Sequence, residues 1–206
     1  MKSLPRYKIC RRVGDRIYGK CQTPAFSASL AKRAVTKPAG RGRGGKSDYG
    51  AQLTEKQKVR FTYGMTERQF SNYVESARET GGKETTGKLY QMLETRLDNV
   101  VFRLGFVTSR RAARQMVSHG HVLVNGSRVA IPSYHVSLGD VIKPREASRS
   151  KGIFTPLVER LKEYKAPAWL TLDSANLEGR VQALPKKEEA VASALNLQSI
   201  MEFYSR

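Results

Sequence analysis

Arg110, Arg111 and Arg114 lie within five residues of one another, with Ser118 one turn further on. On a helix, spacings of three and four put them on one face. Thr108 or Ser109 can cap that helix, and Ala112, Ala113, Met116 and Val117 take the opposite face. A guanidinium is planar, always charged and forked to grip phosphate oxygens, so such a face can dock on a nucleic-acid backbone. The same pattern also suits a solvated charged surface, and these residues alone leave both readings open. Because the arginines face away from the apolar side, replacing all three with Gln is expected to preserve packing.

The other chemically suggestive groups are weaker. Gly40 to Ser47 satisfies G-x-x-x-x-G-K-S, and Gly40, Gly42 and Gly45 satisfy G-x-G-x-x-G. A nucleotide site also needs a strand before the glycines and a helix after them. Here Lys37-Pro38 precedes and Asp48-Tyr49-Gly50 follows, so the stretch is read as a glycine-rich cationic arm. Cys10 and Cys21 are the only cysteines, too few for a structural zinc site, and are expected to be reduced thiols with no metal. His119 and His121 have no acidic or thiol neighbour in sequence to complete a metal site. Glu94 and Asp98, interleaved with Arg96 and Arg103, are read as ordinary helix ion pairs rather than an acid/base pair.

These residues need elements to position them. Arg96 to Ile142 reads as helix, basic helix and β-hairpin, with breaks at Gly105 and Gly120 and a type I′ turn at Asn125-Gly126. Val122 to Val124 forms the first strand and the return runs through Val129 to Ile131. Upstream, Thr54 with Gln57 and Thr66 with Gln69 form two capping boxes. Phe70, Tyr73, Val74 and Ala77 make an apolar stripe ending at Gly81-Gly82. Leu89, Leu93, Leu97, Val100, Val101 and Leu104 are read as one continuous helix. Downstream, Arg149 to Lys165 is expected to be helical. Trp169 to Leu172 and Gly179 to Leu184 are expected as strands joining the hairpin in one antiparallel sheet, and Leu197, Ile200, Met201 and Tyr204 mark a last amphipathic helix.

Charge names the partner class. The 206 residues carry 37 Lys and Arg against 18 Asp and Glu, a net charge of +19. Such an excess repels itself in a compact chain unless a polyanion balances it. Residues 1 to 60 hold 16 of the cations and only Asp15, Asp48 and Glu55 against them, and no acidic residue stands between Arg16 and Ser47. That region is expected to be extended and flexible until RNA neutralises it, so its deletion should leave the rest of the fold intact. No apolar run reaches membrane-spanning length and Met1 to Lys20 lacks the apolar core of a signal peptide. A cytosolic nucleic-acid binder with no membrane partner is the expectation.

The run from Arg96 to Ile142 resembles a small RNA-binding module found in the small ribosomal subunit protein four family, in some pseudouridine synthases and tyrosyl-tRNA synthetases, and in a heat-shock RNA-binding protein. SDYGAQLTEKQKVRFTYGMTERQF at Ser47 to Phe70 and QSIMEFYSR at the C-terminus resemble the flanks of the ribosomal family alone. The resemblance implies an α+β fold: an α-helical domain with an inserted module of antiparallel sheet and packed helices, plus a basic extended N-terminal arm. It divides the chain into an arm at 1–46, a helical domain at 47–92 completed by a C-terminal helix at 194–206, and the module at 93–193. The four-cysteine zinc knuckle of some members is lacking.

The resemblance implies a non-catalytic constituent of the small subunit. Its expected partners are small-subunit ribosomal RNA at a multi-helix junction of the 5′ domain, ribosomal protein five, and mRNA near the channel by which it enters. Implied RNA contacts are Arg41, Arg43 and Lys46 in the arm and Lys56, Lys58 and Arg60 in the helical domain. In the module they are Arg103, Ser109, Arg110, Arg111, Arg114, Gln115, Ser118, His119, His121, Asn125 and Arg128. The alternatives are an RNA-modifying enzyme or a free RNA chaperone using the same module. An enzyme would need a separate catalytic domain, and a chaperone would not need the Ser47 to Phe70 helices.

Overall fold

A computed structural model of the chain describes residues 5–36, 47–149, 157–162, 164–186, 188 and 195–205. The chain forms two compact units, one of residues 1–74 with 190–206 and one of residues 75–189.

The first unit opens with helix α1 (Arg6–Val13), a 3-10 turn at Gly19–Cys21 and helix α2 (Pro24–Thr36). This corrects the expectation of an extended arm for these residues. Ile9, Cys10 and Val13 recur at helical spacing and are buried, and Cys10, Cys21 and Phe26 make a small core with Ile17, Tyr18 and Leu30 against it. Few apolar residues suffice here because they converge, which an average over composition hides. Gly14, in the left-handed region at φ 80°, closes α1 by donating to the Cys10 carbonyl at 2.8 Å. Both cysteines are free and buried. Burial, with Cys10 beside it, pushes the Cys21 thiol up to about 12. The glycine motifs of Gly40 to Ser47 lie, apart from Ser47, outside the described residues.

Helix α3 (Asp48–Thr62) is capped by Ser47, whose hydroxyl accepts from the Gly50 amide at 3.2 Å. Thr54 is therefore not a cap: it lies inside the helix and its hydroxyl donates back to the Gly50 carbonyl at 2.7 Å. The Thr66–Gln69 box does open helix α4 (Glu67–Gly81), with reciprocal bonds of 3.2 and 3.4 Å. Phe70, Val74 and Ala77 of its stripe are buried and Tyr73 is half-buried. The last helix, α10 (Leu197–Tyr204), buries Leu197 and Ile200 and lies against α3, where the rings of Phe203 and Tyr49 sit 5.4 Å apart. The first unit is thus closed by the end of the chain.

In the second unit the expected long helix is two: α5 (Thr85–Glu94) and α6 (Leu97–Arg103). Its apolar residues are all buried, but Arg96 between them is extended at φ −62° and ψ 135° and pairs with His135 as an isolated bridge. The amides of Leu97 and Asp98 donate to the carbonyls of Tyr134 and Pro132 at 2.8 and 3.1 Å, satisfying the new helix start. Helix α7 (Arg110–Ser118) follows Gly105, which stands at φ 77° with the Tyr164 ring packed where a Cβ would lie.

Strands β1 (Val122–Val124), β2 (Ser127–Arg128), β3 (Val141–Pro144), β4 (Leu170–Asp173) and β5 (Glu178–Val181) form one antiparallel sheet in the order β2-β1-β3-β5-β4. Asn125 and Gly126 at φ 50° and 82° make the type I′ turn. The return strand is shorter and earlier than expected, ending at Arg128, and Ile131 stands exposed. Val122, Val124 and Ile142 face the core made by α6 and α7 with Trp169, Leu170 and Val181. Short helices α8 (Glu146–Arg149) and α9 (Leu157–Lys162) lie in or beside the stretch expected as one helix; Phe154 lies outside the described residues. Among the described residues no helix is long and apolar enough to cross a membrane.

Deleting residues 1–46 is expected to destabilise the first unit, because it removes the Cys10–Cys21–Phe26 core and the Asp15 carboxylate 2.8 Å from Lys58. A clear fall in the urea midpoint of the truncated chain would be the expected result; an unchanged midpoint would restore the flexible-arm reading.

Candidate nucleic-acid interface

The centre of the module is a polar network at the junction of α5, α6 and α7. Glu94, fully buried at the end of α5, accepts from Arg103 through Nε at 2.8 Å and Nη2 at 2.9 Å. It also accepts from the Asn99 amide at 2.9 Å. Asp98, in the first turn of α6 where the helix dipole favours an anion, accepts from buried Arg96 through Nε at 3.0 Å and Nη2 at 2.8 Å. Its Oδ2 also takes Arg114 Nε at 2.9 Å and Nη2 at 2.8 Å. Asn99 completes the chain by accepting from Arg110 Nε at 2.7 Å. Glu94 and Asp98 therefore form ion pairs, as expected, but across elements and in the interior rather than along one helix.

Helix α7 is positioned above this network. Ser109, not Thr108, is the cap, its hydroxyl accepting from the Ala112 amide at 3.3 Å. Ala113, Met116 and Val117 are buried and Ala112 packs against the same core. The three arginines of the helix differ sharply. Arg111 is exposed. Arg114 is held by Asp98 with 32% of its side chain accessible, and Arg110 lies on Asn99 with its guanidinium 4.5 Å from the centre of the Phe102 ring. The expectation that all three can be replaced with Gln without loss of packing is thereby corrected: two have a partner in the interior.

Gln115, Ser118 and His119 continue the exposed side of α7, joined by Arg128 from β2. The Arg128 guanidinium lies across Gly120, where any Cβ would collide with it. His121 is half-buried, its Nδ1 2.9 Å from the Ser148 hydroxyl and its ring 5.9 Å from that of His119. Asn125, though exposed, spends its carboxamide on the turn, donating to Asp140 at 2.8 Å and accepting from the Val141 amide at 2.9 Å. Among the described residues no three His, Cys, Asp or Glu side chains gather as metal ligands would.

In the first unit, the Lys56 ammonium is buried 2.6 Å from Glu67, over the rings of Phe203 and Tyr204 at 4.4 and 5.5 Å. Lys58 meets Asp15, and Arg60 stands 3.4 Å from Glu67. These cations sit in intramolecular ion pairs rather than on an open face. Arg41, Arg43 and Lys46 lie outside the described residues. Sequence reasoning passed over the exposed Lys8, Arg11 and Arg12 of α1 because that segment was not expected to be a helix; the recurrence of Ile9, Cys10 and Val13 was the signal available.

Two expectations follow from these pairings. Arg111→Gln should change stability by no more than about 0.5 kcal/mol, whereas Arg114→Gln, which leaves buried Asp98 with one arginine fewer, should cost about 1–3 kcal/mol in urea unfolding. For Glu67, burial raises the carboxyl, but the Lys56 bond and charge, the Tyr204 hydroxyl and the Arg60 charge outweigh it and hold the group below its ordinary 4.5. A carboxylate depressed on folding stabilises above its unfolded value and loses that contribution as pH falls through the folded one. Unfolding midpoints should therefore decline below about pH 4.5, and Glu67→Gln should flatten that decline.

The comparisons with known proteins agree with this architecture. Residues 2–94 match a family described as ribosomal protein S4/S9 N-terminal domain, and residues 95–142 match the S4 domain. The small ribosomal subunit protein uS4 of Chloroflexus aurantiacus is 52% identical over 163 residues, 78% of each chain. That of Roseiflexus sp. (strain RS-1) is 47% identical over 208 residues, covering 98% of this chain and 97% of the relative. That of Aquifex aeolicus is 46% identical over 211 residues with the same coverage. Two family matches in series and relatives of nearly the same span place the chain in the ribosomal protein S4 family, that of small ribosomal subunit protein uS4.

Proposed function

We propose that this chain binds small-subunit ribosomal RNA through the exposed side of α7 and the adjoining hairpin, as a primary assembly protein that clasps a multi-helix junction of the 5′ domain. As a member of its family it is a structural constituent of the small ribosomal subunit and not an enzyme. The carrying observation is the arrangement of Arg111, Gln115, Ser118, His119 and Arg128 at the surface, beside Arg110 and Arg114 held from below. Fixed guanidinium groups beside polar side chains suit the phosphates and 2′-hydroxyls of folded RNA, which is recognised by shape more than by groove sequence.

The rest of the proposal extends outward from that surface. Arg41, Arg43 and Lys46, between α2 and α3 in sequence, contact RNA, and the chain has a place beside the channel by which mRNA enters. A contact with ribosomal protein five couples the chain to decoding accuracy. Lys56, Lys58, Arg60 and Arg103 take part through whatever part of each cation its own ion pair leaves to RNA, and His121 and Asn125 border the contact. The family resemblance supports these finer assignments.

The full chain is expected to remain with small subunits after a high-salt wash; a predominantly free pool with RNA-modifying activity would sink the proposal. In filter binding to small-subunit RNA, Arg111→Gln and Arg128→Gln should each lower the logarithmic salt slope by roughly 0.7 to 0.9, one phosphate contact apiece, without loss of fold. Unchanged slopes in both would move the interface elsewhere.

A further inference from the structure

We infer that Asp98 and Asn99 are positioning residues for RNA recognition, fixing the inward edges of Arg114 and Arg110 before RNA arrives. This rests on the RNA-binding reading of α7. In each arginine the bonded atom is Nε, the first nitrogen of the guanidinium, so both the position and the plane of the fork are set from inside the protein: Arg114 Nε and Nη2 on Asp98 Oδ2, Arg110 Nε on Asn99 Oδ1.

The supports are themselves fixed. Asp98 is locked by buried Arg96, whose Nε donates to Oδ1 and whose Nη2 donates to Oδ2. Asn99 donates its amide nitrogen to both the Glu94 carboxylate at 2.9 Å and the Glu94 carbonyl at 3.0 Å, which forces its oxygen toward Arg110. Phe102 carries the Arg110 plane from beneath. Two chains of contact, Arg96–Asp98–Arg114 and Glu94–Asn99–Arg110, thus run from the interior to one helix face.

Charge argues that this arrangement serves more than cohesion. The cluster holds four guanidinium groups, three of them (Arg96, Arg103 and Arg114) on its two carboxylates and that of Arg110 on Asn99, so it keeps a net positive charge. A buried ion pair is commonly no more stable than apolar packing of the same volume, and Arg114 remains 32% accessible. Restraining a long side chain in advance removes the ordering cost from the binding step. The carboxylate lowers the total charge yet raises affinity, and that opposition makes the inference testable.

Asp98→Asn makes the chain more positive, so charge alone predicts tighter RNA binding. Positioning predicts the reverse: about tenfold weaker binding of small-subunit RNA at every salt concentration, with the salt slope unchanged because the phosphate contacts are the same in number. Asn99→Ala, which alters no charge, should weaken binding with the same unchanged slope. Because either variant could lose its fold, NMR relaxation of the arginine Nε–H groups in the free wild-type chain supplies an independent reading. Arg110 and Arg114 should be as ordered as backbone, and Arg111 mobile. Equal mobility of the three, or a folded D98N chain that binds as tightly as wild type or tighter, would overturn the inference. Failure of the wild-type chain to bind RNA at all would instead sink the RNA-binding reading on which it rests.

Discussion

Two buried carboxylates, Glu94 and Asp98, hold together an arginine-rich junction of a chain whose net charge is +19. Each ties its own element to another: Glu94 joins the end of α5 to Asn99 and Arg103 of α6, and Asp98 joins the extended Arg96 to α6 and α7. A carboxylate withdrawn from water in this way demands full pairing, because an unpaired charge in the interior is far costlier than a weak contact at the surface. That demand explains the break at Arg96. A continuous helix from Thr85 to Arg103 would have left no peptide start for α6, and hence no dipole-favoured place for Asp98 nor carbonyl partners from Pro132 and Tyr134.

The first unit solves a related problem with a cation. Lys56 is buried, and its ammonium is met by Glu67 and by the faces of Phe203 and Tyr204, which a cation attracts. Tyr204 adds a hydroxyl bond to the same carboxylate at 3.1 Å. Residues far apart in the chain are thereby joined at one charge, and α10 is held on α3 as part of a unit that the chain leaves and later completes. In both units, charged side chains that look like surface decoration in sequence are fasteners, and those left at the surface are displayed by them.

Functionally, this separates two kinds of arginine on one short helix. Arg111 offers exposed charge, suited to long-range attraction of a polyanion. Arg110 and Arg114 offer charge with direction, because interior partners set the plane of each fork. Under the proposed RNA-binding role of α7, the first kind would attract RNA broadly and the second would seat it in one register.

Much of this was legible along the chain. The capping box at Thr66, the stripe of α4, the Asn125-Gly126 turn, the single antiparallel sheet and the apolar side of α7 all follow from local rules, because their causes lie within a few residues or within strict periodicity. The α+β class and RNA-binding chemistry likewise followed from pattern, charge and family resemblance. Other features depended on residues distant in sequence. The break between α5 and α6 needed the 132–136 loop to satisfy new backbone amides, and the pairing of Arg114 with Asp98 spans 16 positions. The helices of residues 6–36 were hidden by composition until three buried side chains met. Sequence alone thus determined the locally specified elements and which charges are available. Only the tertiary structure decided which of those charges face inward as fixed partners and which remain at the surface, because that choice is set by desolvation at contacts the chain makes with itself at long range.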